Sequence, residues 1–90
     1  MTKRRFSIEL MATATLELDE DVINAVDDEW RSDLYDLNTP EEIAEMIGRC
    51  MIAYSSNLSD LDGWADQPNE NAKLIGGVRW FTESVSEIKP

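Results

Sequence analysis

The sequence predicts a single α+β domain over residues 1–90: a two-layer β-α-α-β unit with long antiparallel strands packed against two helices. Three features carry that expectation. From Phe6 to Leu18 apolar and polar residues alternate; Thr39-Pro40-Glu41-Glu42 is a helix start; and Val78-Arg79-Trp80-Phe81-Thr82 is a strand-forming run behind a glycine pair. A 42% hydrophobic content that includes Trp30, Trp64 and Trp80 suffices for one core, and the length leaves no room for a second.

In the first strand Phe6, Ile8, Leu10, Ala12, Ala14, Leu16 and Leu18 share one face, and Ser7, Glu9, Met11, Thr13, Thr15 and Glu17 share the other. That pattern suits a sheet buried on one side and solvated on the other, and its length implies a bend or bulge. Asp19-Glu20-Asp21 then supplies the carboxylates that favour a helix N-terminus. At 100° per residue Val22, Ile23, Val26 and Trp30 form one arc, so a first helix is expected up to Arg31 or Ser32. Leu34, Tyr35 and Leu37 belong to a loop packed back on the core. In the second helix Thr39 caps, Pro40 takes the first position and Glu42 completes a capping box. Its buried side is expected to hold Ile43, Ala44, Met46, Ile47, Cys50, Met51 and Tyr54, and Leu58 if the helix runs that far, with Ile52 left on the polar side as a candidate self-association contact. Residues 57–71 read as a loop pinned by Trp64 with a short turn around Leu58–Leu61, and a second extended region follows from Ala72 to Ile88, interrupted by a bulge or a bend at Gly76-Gly77.

The net charge is −11, and Glu17 to Glu45 accounts for all of it with twelve acids and one base, Arg31. Such a segment repels nucleic acid and anionic membranes and attracts basic protein surfaces. No apolar run is long enough to span a bilayer, and basic Lys3-Arg4-Arg5 leads into alternating residues where a signal peptide would be continuously apolar, so a cytoplasmic protein is expected.

Catalytic chemistry finds little material. Histidine is absent, which removes the commonest general base and the commonest neutral metal ligand. Cys50 falls on the apolar arc of its helix with no base to activate it, and reads as a buried structural thiol. Asp60-Leu61-Asp62-Gly63 resembles a calcium loop, but aligning Gly63 with the loop's obligatory glycine puts Leu58 and Asn69 where carboxylates are required. An Asp-Gly turn is the better reading. The expectation is therefore no enzyme, no cofactor and no metal.

The residues expected to matter are Glu20, Asp21, Asp27, Asp28, Glu41 and Glu45, placed on the outward side of two neighbouring helices. Carboxylates one helical turn apart, about 5–6 Å, resemble the spacing of phosphates along a nucleic-acid strand. None lies on an apolar arc, so reversing Asp27, Asp28 and Glu45 is expected to leave the fold nearly intact. In size, charge and lack of catalytic residues the chain resembles the short acidic proteins that bacterial viruses direct against host defences, the anti-restriction and anti-CRISPR proteins. That resemblance implies an inhibitor acting inside a bacterial host cell. It would occupy the basic surface of a nucleic-acid-binding or nuclease complex, without binding nucleic acid or membrane itself. The alternative is a small homo-oligomeric phage accessory protein, acidic only for solubility. A two-stranded sheet leaves both edges unpaired, so self-association, as a homodimer, through those edges or through Ile52 is a further expectation.

Overall fold

The structure, a computed structural model, describes residues 2–89. Strands β1 (Arg5–Leu18) and β2 (Ala72–Ile88) pair antiparallel as a two-stranded sheet. Between them lie helices α1 (Glu20–Asn24), α2 (Asp28–Asp33) and α3 (Pro40–Tyr54), then single 3₁₀ turns at Leu58–Asp60 and Asn69–Asn71. The mixed α+β class and the two long antiparallel strands agree with the sequence patterns.

The single first helix does not form; it is split by Ala25, Val26 and Asp27. Asp27 adopts an extended backbone, and its carboxylate accepts the Trp30 N–H at 2.8 Å, which ends one helix and caps the next. Asp19 caps α1 in the same way through the Asp21 N–H. In α3, Thr39 caps as its sequence predicts, accepting the Glu42 N–H at 3.1 Å. The Glu42 carboxylate, however, reaches the N–H of Asn38 instead of that of Thr39, so half of the box is exchanged for a contact one residue upstream. Ser55, in the left-handed region at φ 52°, stops α3.

Trp64 holds these pieces together. It is fully buried, its indole N–H donates to the carbonyl of Val22 at 3.0 Å, and its ring lies 4.9 Å from that of Trp30. Val22, Val26, Ile43, Ile47, Leu58 and Ala72 complete the core. Trp30 in turn donates to the carbonyl of Gly63 at 3.2 Å, so the two tryptophans tie the 57–71 loop to α1 and α2. On α3 the expected arc is buried at Ile43 and Ile47 and half-buried at Ala44, Met46, Cys50 and Met51. Tyr54 departs from it at 75% exposed because it sits at the helix end, beyond the core. Leu37 packs against the core, whereas Leu34 and Tyr35 stay exposed. Ile52 is half-buried, so it is no isolated apolar contact on a polar face.

The largest departure concerns the sheet. The helices cover only its base, where Leu16, Leu18 and Ala72 meet the core. Phe6, Ile8 and Leu10, expected inside, are exposed. Length explains this: a strand of fourteen residues runs about 46 Å, whereas a fifteen-residue helix runs about 22 Å. Residues 5–13 and 79–88 therefore project as an arm, and the molecule measures 54 × 30 × 23 Å. Between arm and base, Ala14 lies opposite Gly76, Gly77 and Val78, with both glycines at φ 78°. Of the bulge or bend that the glycine pair implies, the structure has the bulge.

The Trp30–Gly63 contact makes a specific prediction. Gly63 has φ 91°, and a Cβ there would lie 2.6 Å from Trp30 Cε2 and 2.7 Å from Leu34 Cδ1. Gly63→Ala should therefore destabilise the protein by at least about 2 kcal/mol, from left-handed strain and overpacking together. Gly48→Ala should be mild, since its Cβ would meet only Leu16 at an ordinary 3.6 Å. Urea unfolding midpoints of the two variants measure the difference.

Candidate functional site

The charge is more polarised in space than along the chain. Residues 17–74, the body, hold sixteen carboxylates against three bases, a net of −13. The remaining residues hold Glu9, Glu83 and Glu87 against Lys3, Arg4, Arg5, Arg79 and Lys89, a net of +2. An acidic body thus carries a slightly basic arm, with the cations gathered at its tip.

All six candidate carboxylates are exposed, but they do different things. Asp27 is the α2 cap. Asp28 pairs with Arg31 at 3.0 Å, and Glu45 pairs with Arg49 one turn along α3. Glu20 and Asp21, in the first turn of α1, and Glu41, in the first turn of α3, form no ion pair among the described residues. The split of the first helix also breaks the spacing that would have run from Asp21 to Asp28, so helical-turn spacing survives only between Glu41 and Glu45. Reversing Asp27, Asp28 and Glu45 would thus strip a helix cap and two ion pairs, and is not neutral for the fold.

Arg31 has a role that sequence reasoning missed. Its guanidinium donates to the carbonyl of Leu37 at 2.7 Å and that of Val26 at 3.4 Å, besides its contact with Asp28. The lone base of the acidic segment joins two loops. A cation isolated among twelve acids is the one signal that pointed to such a role.

The Asp60 carboxylate accepts the Asn57 N–H at 2.9 Å and Gly63 makes a left-handed turn, so the calcium-like tetrapeptide serves local structure. Among the described residues no three His, Cys, Asp or Glu side chains converge as a ligand set. Cys50 is half-buried, more open than its place on the apolar arc implied. The bulge leaves an open cleft between Thr13, Thr15, Ile75, Arg79 and the two glycines, with no carboxylate or thiol in its lining. At the arm tip Arg4 grips Glu87 through both oxygens, at 2.7 and 2.9 Å, and lies 5.5 Å over the Phe6 ring. That pairing lowers the Glu87 carboxyl below its ordinary value and raises Arg4 above its own.

Among the described residues no helix is long and apolar enough to cross a membrane. No known protein family, curated protein or solved structure matches the chain. What fold and surface define together is an elongated α+β protein with an acidic body and a projecting two-stranded arm.

The two arginines of the helical segments should separate cleanly by thermodynamics. Arg31→Met leaves the carbonyls of Leu37 and Val26 without their donor and should cost about 1–3 kcal/mol. Arg49→Met breaks only an exposed pair on α3 and should cost under about 0.5 kcal/mol. Denaturant unfolding of both variants checks the contrast.

Proposed function

We propose that the protein is a non-catalytic binding protein whose acidic body occupies the basic surface of a nucleic-acid-binding protein in the bacterial cytoplasm and so blocks it. The observation that carries this reading is the net charge of −13 on the body, with Glu20, Asp21 and Glu41 exposed and free of ion pairs among the described residues. A carboxylate already held by a cap or an arginine gives up an internal contact to bind; a free one does not. Of the six candidate carboxylates these three therefore contribute most, supported by the long-range field of the rest. Each exposed contact is weak, about 0–1 kcal/mol, so affinity and association rate come from the group and fall with salt. The chain's size and acidity resemble those of phage-encoded anti-restriction and anti-CRISPR proteins, and a nuclease complex of a host defence system is the partner that such a surface fits.

The test is capture from bacterial lysate on immobilised protein, with the wild type compared to the triple variant Glu20→Lys, Asp21→Lys, Glu41→Lys. Reversal at two helix N-termini costs some stability, about 0.3–1 kcal/mol per site, so thermal melts must first show the variant folded. A nucleic-acid-binding protein should be retained by the wild type at about 50 mM salt, lost at about 500 mM, displaced by duplex DNA and lost with the variant. Equal retention by wild type and variant, or retention of no basic protein, would mean that the acidity serves only solubility.

A further inference from the structure

The arm carries a second interaction surface, distinct from the acidic body. Residues directly paired across antiparallel strands share a face. The pairs Phe6↔Glu87, Ile8↔Val85, Leu10↔Thr82 and Ala12↔Trp80 therefore form one face of the arm. Between Thr82 and Ser84 the register shifts, and Glu83 has no partner. Without that bulge, continuing the register from Leu10↔Thr82 would set Ser84 opposite Ile8 and Ser86 opposite Phe6. The bulge replaces the two serines with Val85 and Glu87, since a one-residue slip exchanges the faces of a strand. One irregularity thus assembles Phe6, Ile8, Leu10, Trp80 and Val85 on a single side.

All five are 50–58% exposed. Together they present on the order of 500 Å² of apolar side chain, near the upper end of what a monomer's largest patch exposes. A two-stranded ribbon is marginal in water unless a second layer covers one face. In β1 the alternation places Phe6, Ile8 and Leu10 on the same side as Leu16 and Leu18, which the helices partly cover. A second layer therefore exists over the base of this face and stops short of the arm.

We infer that the missing layer is the arm of a second copy of this chain, laid antiparallel across the apolar face in a two-fold dimer. Surface area and shape show that the arm has room for such an interface, and charge favours a copy over another occupant. The accessible surface is 6877 Å², whereas a compact monomer of this mass exposes roughly 5,300 Å². The surplus exceeds the roughly 800 Å² that each partner buries in a standard interface. The radius of gyration is 17.2 Å, against about 12 Å for a compact chain of this length. Finally, antiparallel arms bring each basic tip, with Lys3, Arg5 and Lys89, toward the acidic body of the other copy, which offsets the repulsion between two chains of net charge −11. The face pairs with itself, as a two-fold axis requires.

This inference stands apart from the acidic-surface proposal, because its test involves no other protein. Sedimentation of the wild type from about 1 to about 200 µM should show a concentration-dependent dimer, twice 10.2 kDa. Trp30 and Trp64 are buried within each copy, so a blue shift of emission on association reports Trp80, and Trp80→Phe should abolish it. Ile8→Glu and Val85→Glu lie outside the core and should each raise the dissociation constant at least about tenfold, with unchanged near-ultraviolet dichroism from Trp30 and Trp64. If either variant fails to fold, the exposed pair Lys3→Glu, Arg5→Glu serves instead and should weaken the dimer in the same direction. A wild type that stays monomeric at about 200 µM overturns the inference. So does a dimer indifferent to all these variants, which would put the contact on the strand edges, and so does a larger assembly.

Discussion

The indole of Trp64 is enclosed by the core and fastened by its N–H to the carbonyl of Val22, forty-two residues earlier in the chain. The other body elements are arranged around that bond. A five-residue and a six-residue helix have too few internal hydrogen bonds to persist alone, so α1 and α2 depend on what they bury against the two tryptophans. The 57–71 loop would otherwise be a long irregular excursion. Trp64 draws it inward, and the Trp30 N–H holds it from the other side through Gly63. For a domain whose total stability is of the order of 5–15 kcal/mol, this pair of rings and donors is a large fraction of what keeps the body together.

Around that core the surface divides by chemistry. Carboxylates crowd the body because three helix starts lie there, each favouring acids in its first turn: Glu20 and Asp21, Asp28 and Glu29, Glu41 and Glu42. Part of the acidity is thus the ordinary chemistry of capping, which Asp19 and Asp27 perform directly. Glu20, Asp21 and Glu41 favour their helix starts only through the dipole: they accept no capping hydrogen bond and meet no arginine among the described residues. The arm has the opposite character: nearly neutral along its length, cationic at its tip, with its larger apolar patch on the side of Phe6, Ile8, Leu10, Trp80 and Val85 and a smaller one, Met11, Phe81 and Ile88, on the other. The two surfaces differ in the kind of contact they suit. One is suited to long-range, salt-sensitive attraction, the other to short-range apolar contact.

The Gly76-Gly77 bulge lies where the two regions meet. Its backbone takes left-handed angles at consecutive residues, which a chain with side chains there would resist. The irregularity separates the covered part of the sheet from the projecting part. Glu83, the unpaired residue further out, then sets Val85 on the same side as Phe6, Ile8 and Leu10.

Local features were legible in the sequence wherever their causes are local. The alternation from Phe6 to Leu18 determined a strand, Thr39-Pro40 a helix start, Asp62-Gly63 a turn, and the glycine pair a break in the second strand, because backbone sterics and capping act over a few residues. The absence of histidine and the concentration of acid were equally plain. Tertiary structure alone decided the rest. Asp27 reads as an exposed acid on a continuous helix until the folded chain shows it ending one helix and starting another. Arg31 reads as a stray base until Leu37 is brought within its reach. Phe6, Ile8 and Leu10 read as core because alternation reveals that a face is apolar but not what covers it. Coverage depends on how far each element extends in space, and a strand advances more than twice as far per residue as a helix. A helix of either predicted length covers about half of β1, and the arm is the part left beyond it.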